Sequence, residues 1–96
     1  MGRHHLRARP AFIISRFYIR LAALLADAFR RLTRADISLE GASDHGVSEA
    51  LYLSDPDGNG IELYWDRPRE LWPRDANGQI EMFTRRLDLG NLLSEL

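Results

Sequence analysis

The chain has 96 residues, 45% hydrophobic and 28% charged, with a formal net charge of −1, the balance of one small globular domain rather than of a general nucleic-acid binder. It has no cysteine, and all thirteen of its Lys and Arg positions are Arg. Disulfide frameworks and thiolate chemistry are therefore excluded, nothing points to an oxidising compartment, and the cytoplasm is the expected location.

Residues 1–10 form a basic tail carrying His4 and His5. Residues 1–26 hold five arginines and no acid, a bias that presequences share. Arg16 and Arg20 nevertheless interrupt the apolar run, and no window approaches the roughly 20 apolar residues of a membrane span. No membrane partner is expected. Residues 11–19 alternate Ile13, Ser15, Phe17 and Ile19, which reads as a first strand.

From 21 to 34 the apolar positions Leu21, Leu24, Leu25, Ala28, Phe29 and Leu32 recur at helical spacing, with Asp27, Arg30, Arg31 and Arg34 opposite. The terminal arginines suit the negative end of the helix dipole. After Asp36 the short alternation ISLEG, residues 37–41, predicts a second strand.

Residues 44–68, DHGVSEALYLSDPDGNGIELYWDRP, hold two strand-like runs, 47–54 and 61–65, around the turn DPDGNG. Pro56 presets φ, Gly58 and Gly60 tolerate positive φ, and Asp55, Asp57 and Asn59 can bond their own backbone. The pattern favours a register with Tyr52 opposite Glu62. Leu51, Leu53, Ile61 and Leu63 then share a core face, and Tyr52, Glu62 and Tyr64 share the other; a one-residue slip would put Leu53 beside Glu62 instead.

Two prolines and a glycine mark the DRPRELWPRDANG stretch as a loop, with Trp72 read as a cap on an apolar edge rather than a ligand-stacking ring. Asp88 is the expected N-cap of a last helix over 89–96, whose Leu89, Leu92, Leu93 and Leu96 form an apolar stripe. Gly90 weakens it.

The string DHGVSEALYLSDPDGNGIELYWDRP resembles the closing hairpin of a βαβββ module of the vicinal oxygen chelate superfamily, which includes glyoxalases, extradiol dioxygenases, fosfomycin-resistance enzymes and bleomycin-binding proteins. It is closest to the catechol 2,3-dioxygenase-like branch and extends more weakly back to Phe12 and forward to LDLGNLL. The resemblance implies an α+β fold: one βαβββ module over residues 11–66 with a curled mixed sheet covered by a helix. Residues 67–96 add a loop and a short C-terminal helix that serves as a dimer contact.

In that family the glutamate of DPDGNGIEL is a metal ligand, which maps onto Glu62. A histidine and a tyrosine beside the metal-bound substrate map onto His45 and Tyr52, as catalytic residues. The position expected to hold a first-strand His ligand falls on Ile14, which cannot bind a metal. His4 or His5 is the alternative imidazole, and His5 is carried as the second metal ligand. Tyr64 and Arg16 are added as ligand-binding residues. Each has a plainer reading: Glu62 and Arg16 as solvated strand residues, His45 as part of a polar turn, Tyr52 as packing, and His4 and His5 as tail.

The function implied is a glyoxalase- or extradiol-dioxygenase-like protein that binds a small molecule in a cavity completed by a second subunit, as a homodimer. If it is an enzyme, it is a metal-dependent dioxygenase or a glyoxalase-like lyase using Fe(II), Mn(II) or Zn(II). The alternatives are a metal-free binder of an aromatic or cationic molecule, like the bleomycin-binding relatives, and an inactive remnant of a module.

Overall fold

The computed structural model describes residues 13–96. Their order is β1 (Ile13–Tyr18), α1 (Ala22–Arg34), β2 (Gly41–Asp44), β3 (Ser48–Ser54), β4 (Gly60–Asp66), a 3-10 turn (Arg69–Leu71), β5 (Arg85–Arg86) and α2 (Leu89–Leu93). The strands form one mixed sheet in the order β1-β4-β3-β2-β5, with β1 parallel to β4 and the other pairs antiparallel. This is the α+β fold expected, a strand, a helix and three strands in one open sheet, with a short C-terminal helix.

The helix α1 ends where Asp36 turns left-handed at φ 62. Its N–H donates to Thr33 O at 3.1 Å and the Ile37 N–H to Leu32 O at 2.9 Å, the pairing that satisfies the last free carbonyls of a helix. The start is plainer: Leu21 precedes it without a side-chain cap. α1 owes its stability to the face it packs on the sheet.

Leu25 and Ala26 of α1, Leu51 of β3, Leu87 and Leu92 are buried together, with Ile19, Phe29, Leu39, Ala42, Leu63, Trp65 and Leu89 packed around them. Side chains alternate across a strand, so Leu51 and Leu63 take the helix side and Tyr52, Glu62 and Tyr64 the other. The hairpin register places Tyr52 opposite Glu62 and Leu51 opposite Leu63, the favoured one of the two readings.

Three expectations are corrected. The second strand is not ISLEG but Gly41–Asp44: pairing begins only where the Glu40 N–H reaches Tyr52 O at 2.8 Å. The loop after β4 is partly ordered by the 3-10 turn and an Arg74–Ile80 bridge. The apolar stripe of α1 is only partly core, since Leu21 and Leu24 are exposed.

The C-terminal segment also does more than the pattern suggested. Arg85 and Arg86 add a fifth strand against β2, and Leu87 and Leu92 complete the core. Asp88 caps α2 as expected, accepting the Asn91 N–H at 3.0 Å, but the helix ends at Leu93 instead of running to Leu96. Leu92 is thus turned inward, while Leu93 and Leu96 are exposed beside an apolar groove of about 470 Å³ lined by Phe29, Arg30, Thr33 and Arg34. Among the described residues no helix is long and apolar enough to cross a membrane.

Candidate ligand-binding face

Strand pairing assembles one row of side chains across the sheet. Arg16 of β1 pairs with Glu62 of β4, Glu62 with Tyr52 of β3, and Tyr52 with Gly41 of β2. The next row on the same face runs Tyr18, Tyr64, Ala50, Ser43, Arg86. Of the residues singled out from the sequence, Arg16, Tyr52, Glu62 and Tyr64 are therefore neighbours on the face turned away from α1.

Glu62 is 8% exposed, and a carboxylate so placed needs a partner. Arg16 supplies it, its Nε donating to Glu62 Oε1 at 2.8 Å. The guanidinium also lies 4.3 Å above the Tyr64 ring centroid, and the Tyr64 ring in turn meets Tyr18 in a tilted pair at 5.5 Å. The hydrogen bond to Glu62 raises the Arg16 pKa above the ordinary guanidinium value, so Arg16 is a fixed positive charge. Its side chain remains 57% exposed.

His45 reaches this face from the turn between β2 and β3. Gly46 takes φ +82 and donates its N–H to Asp44 Oδ1 at 2.8 Å, while the His45 N–H closes the hairpin on Ser48 O at 2.8 Å. A Cβ on Gly46 would stand 2.9 Å from the Phe83 ring and 3.0 Å from Pro73. Glycine is thus required twice, for the backbone angle and for the close approach.

His45 Nδ1 lies 3.2 Å from the Phe83 carbonyl oxygen, and a carbonyl can only accept. In the neutral imidazole Nδ1 is therefore the protonated nitrogen, and Nε2 presents its lone pair. The Tyr52 hydroxyl, 3.1 Å away, donates to that lone pair.

A charged cluster on the opposite side of the sheet holds the turn in place. Arg67 donates to Asp44 Oδ1 at 2.7 Å, to the Gly46 carbonyl at 2.8 Å and to Glu49 Oε2 at 2.9 Å. Trp65 Nε1 completes Glu49 at 2.7 Å, and Trp72 Nε1 donates to the Arg67 carbonyl at 2.7 Å. Burial is the largest influence on the Asp44 carboxyl and pushes its pKa up. The Arg67 bond, the Gly46 N–H and the charges of Arg67 and Arg85 outweigh it, and the net direction is down.

Arg67, Glu49 and Phe83 carried no motif of their own. The one trace in the sequence was the excess of charge and aromatic rings around residues 65–72. Trp72, read as an edge cap, uses its indole N–H to fix Arg67 and stacks under Arg69 at 5.0 Å.

The described residues do not fit a divalent ion. Among them no group of three or more His, Cys, Asp or Glu is placed to hold a metal, and the Glu62 carboxylate is engaged by Arg16. His4 and His5 lie outside the described residues. Ile14 belongs to β1 where its register with β4 shifts, between the Ile13–Gly60 and Ser15–Ile61 pairs.

Over 71 residues the chain is 55% identical to a protein described as catechol-2,3-dioxygenase from Bacillus subtilis (strain 168). The chain resembles a dioxygenase. The match covers 74% of the chain and 25% of the relative, so the chain spans about a quarter of the length of the curated protein it matches. This likeness supports the resemblance to the vicinal oxygen chelate superfamily. No family model matches the chain, and no solved structure matches it.

Proposed function

We propose that this chain is a dioxygenase-like module whose Arg16–Glu62–Tyr52 row forms one wall of a site for a small hydroxylated aromatic molecule. The observation that carries this reading is the His45–Tyr52 hydrogen bond on the same face as that row. A ligand hydroxyl donates to the Tyr52 oxygen while the Tyr52 O–H donates to His45 Nε2. A proton leaving the ligand passes through Tyr52 to Nε2, and the imidazolium formed keeps its Nδ1–H on the Phe83 carbonyl. The Bacillus subtilis relative is described as a catechol-2,3-dioxygenase, and catechol is a molecule of this kind.

This proton path runs through Tyr52 and His45 alone, and the described donors do not fit a metal. A cationic guest is disfavoured on physical grounds: Arg16 already occupies both the carboxylate of Glu62 and the face of Tyr64, the two features that attract a cation. A neutral or anionic aromatic meets no such competitor.

A second copy of the chain is proposed to cover the face. An open sheet ends in edge strands with unpaired backbone groups, and among the described residues β1 is one of the two edges, the other being the two-residue β5. Phe17, Tyr18 and Leu21, on or just after it, are 53%, 56% and 50% exposed. These are large apolar groups for a water-facing surface, and a partner would bury them.

Calorimetric titration with catechol tests the reading. The wild-type chain is expected to bind it, and His45→Gln and Tyr52→Phe each to bind about tenfold more weakly, the worth of one hydrogen bond of about 1.4 kcal/mol. Equal affinity in all three proteins, or no binding by the wild type, would overturn it.

A further inference from the structure

We infer that Arg16 is the anchor for a carboxylate on the aromatic ligand, so that the molecule taken by this face is a hydroxylated aromatic acid. This rests on the ligand-binding reading of the same face.

The guanidinium is held from two directions. Glu62 binds Nε, on the inner edge of the fork, at 2.8 Å, and the Tyr64 ring supports the plane from one side at 4.3 Å. Among the described residues the two Nη atoms have no hydrogen-bond partner, and the side chain is 57% exposed. A fork fixed at its inner edge and open at its outer edge presents parallel N–H donors with little ordering left to do, the arrangement that matches a planar carboxylate.

Glu62 does not cancel this function. One carboxylate on Nε satisfies one of five N–H donors, and it stops the flexible side chain from folding away from the face. Glu62 is then a positioning residue, acting on the ligand through Arg16. Tyr52 lies two strands from Arg16 along the same row, about 10 Å between Cα atoms at the usual strand spacing. The two side chains leave the same face, so an aromatic acid can lay its carboxylate on Arg16 and its hydroxyl toward Tyr52 and His45. Tyr64 and Tyr18 supply ring surface on the next row.

The test compares 3,4-dihydroxybenzoate, 3,4-dihydroxybenzamide and catechol by isothermal titration on the 96-residue chain. The acid is expected to bind at least tenfold more tightly than the amide, which has the same shape without the charge. Raising the sodium chloride concentration should weaken the acid and leave the amide unmoved, as screening requires. In Arg16→Gln the acid should fall to the affinity of the amide. Arg16→Lys, which keeps the charge and loses the fork, should retain only part of the preference. Glu62→Gln should reduce it about threefold through a loosened Arg16, with circular dichroism confirming that each variant is folded.

Equal binding of acid and amide by the wild type, or a preference surviving in Arg16→Gln, would overturn the anchor. If catechol and the amide bind while the acid gains nothing, the anchor fails and the ligand-binding reading stands. If none of the three binds, both fail.

Discussion

His45 and Tyr52 lie seven residues apart in the chain and 3.1 Å apart in space, one in a turn and the other well along the strand that follows. The contact exists because Gly46 turns the backbone at φ +82 and Phe83 holds the opposite edge of the imidazole. The hydrogen bond therefore depends on both the hairpin and the C-terminal segment.

The first prediction concerns proton placement. Nitrogen-15 NMR of the unprotonated His45 ring should show a pyrrole-type Nδ1 and a pyridine-type Nε2. Tyr52→Phe should leave this tautomer unchanged while shifting the Nε2 resonance. A majority of the other tautomer would show that the Phe83 carbonyl does not set it.

Gly46→Ala should destabilise the chain by about 2–4 kcal/mol, combining the cost of a left-handed residue with overpacking against Phe83 and Pro73. Urea unfolding measures it. Gly58, which also has positive φ but open space around it, provides the control: Gly58→Ala should cost only the conformational part, about 1–2 kcal/mol.

Arg67→Ala removes one positive charge from between two acids, Glu49 being 5% exposed. The expected loss is about 3–5 kcal/mol, because an uncompensated charge is left in a poorly hydrated place. Ligand affinity should fall in parallel, since the Asp44–Gly46 turn that positions His45 loses its anchor. A drop in stability with the His45 resonances unmoved would separate the cluster from the site.

The depressed Asp44 carboxyl gives a pH dependence with a definite sign. Its folded pKa lies below the ordinary value of 3.8, so its stabilisation is fully present above that value and is lost as pH falls through the folded one. Unfolding free energy should decline in that acid range, and Asp44→Asn should flatten the decline while lowering stability at neutral pH.

If a second copy covers the face, light scattering should give twice the 11.0 kDa chain mass. Tyr18→Asp, a change on the exposed part of that same face, should return the protein to one chain and weaken ligand binding. A wild type that stays at one chain mass at all concentrations would remove the dimer and leave the face open.

The helix, the hairpin and its register were legible in the sequence because they rest on local rules. Leu25 and Phe29 recur at helical spacing, and Tyr52 and Glu62 fall opposite one another as soon as the DPDGNG turn is closed. That alternation also placed Tyr52, Glu62 and Tyr64 on one face. Strand pairing across the sheet decided the rest. Arg16 meets Glu62 through a parallel pairing 46 residues apart, and no local pattern records which cation a buried acid will take. The fifth strand, the inward turn of Leu92 and the Phe83 contact on His45 likewise arise from a C-terminal segment whose sequence reads mostly as loop. Its pairing is specified by the free edge of β2 and by the apolar surface it covers, which exist only once the sheet has formed.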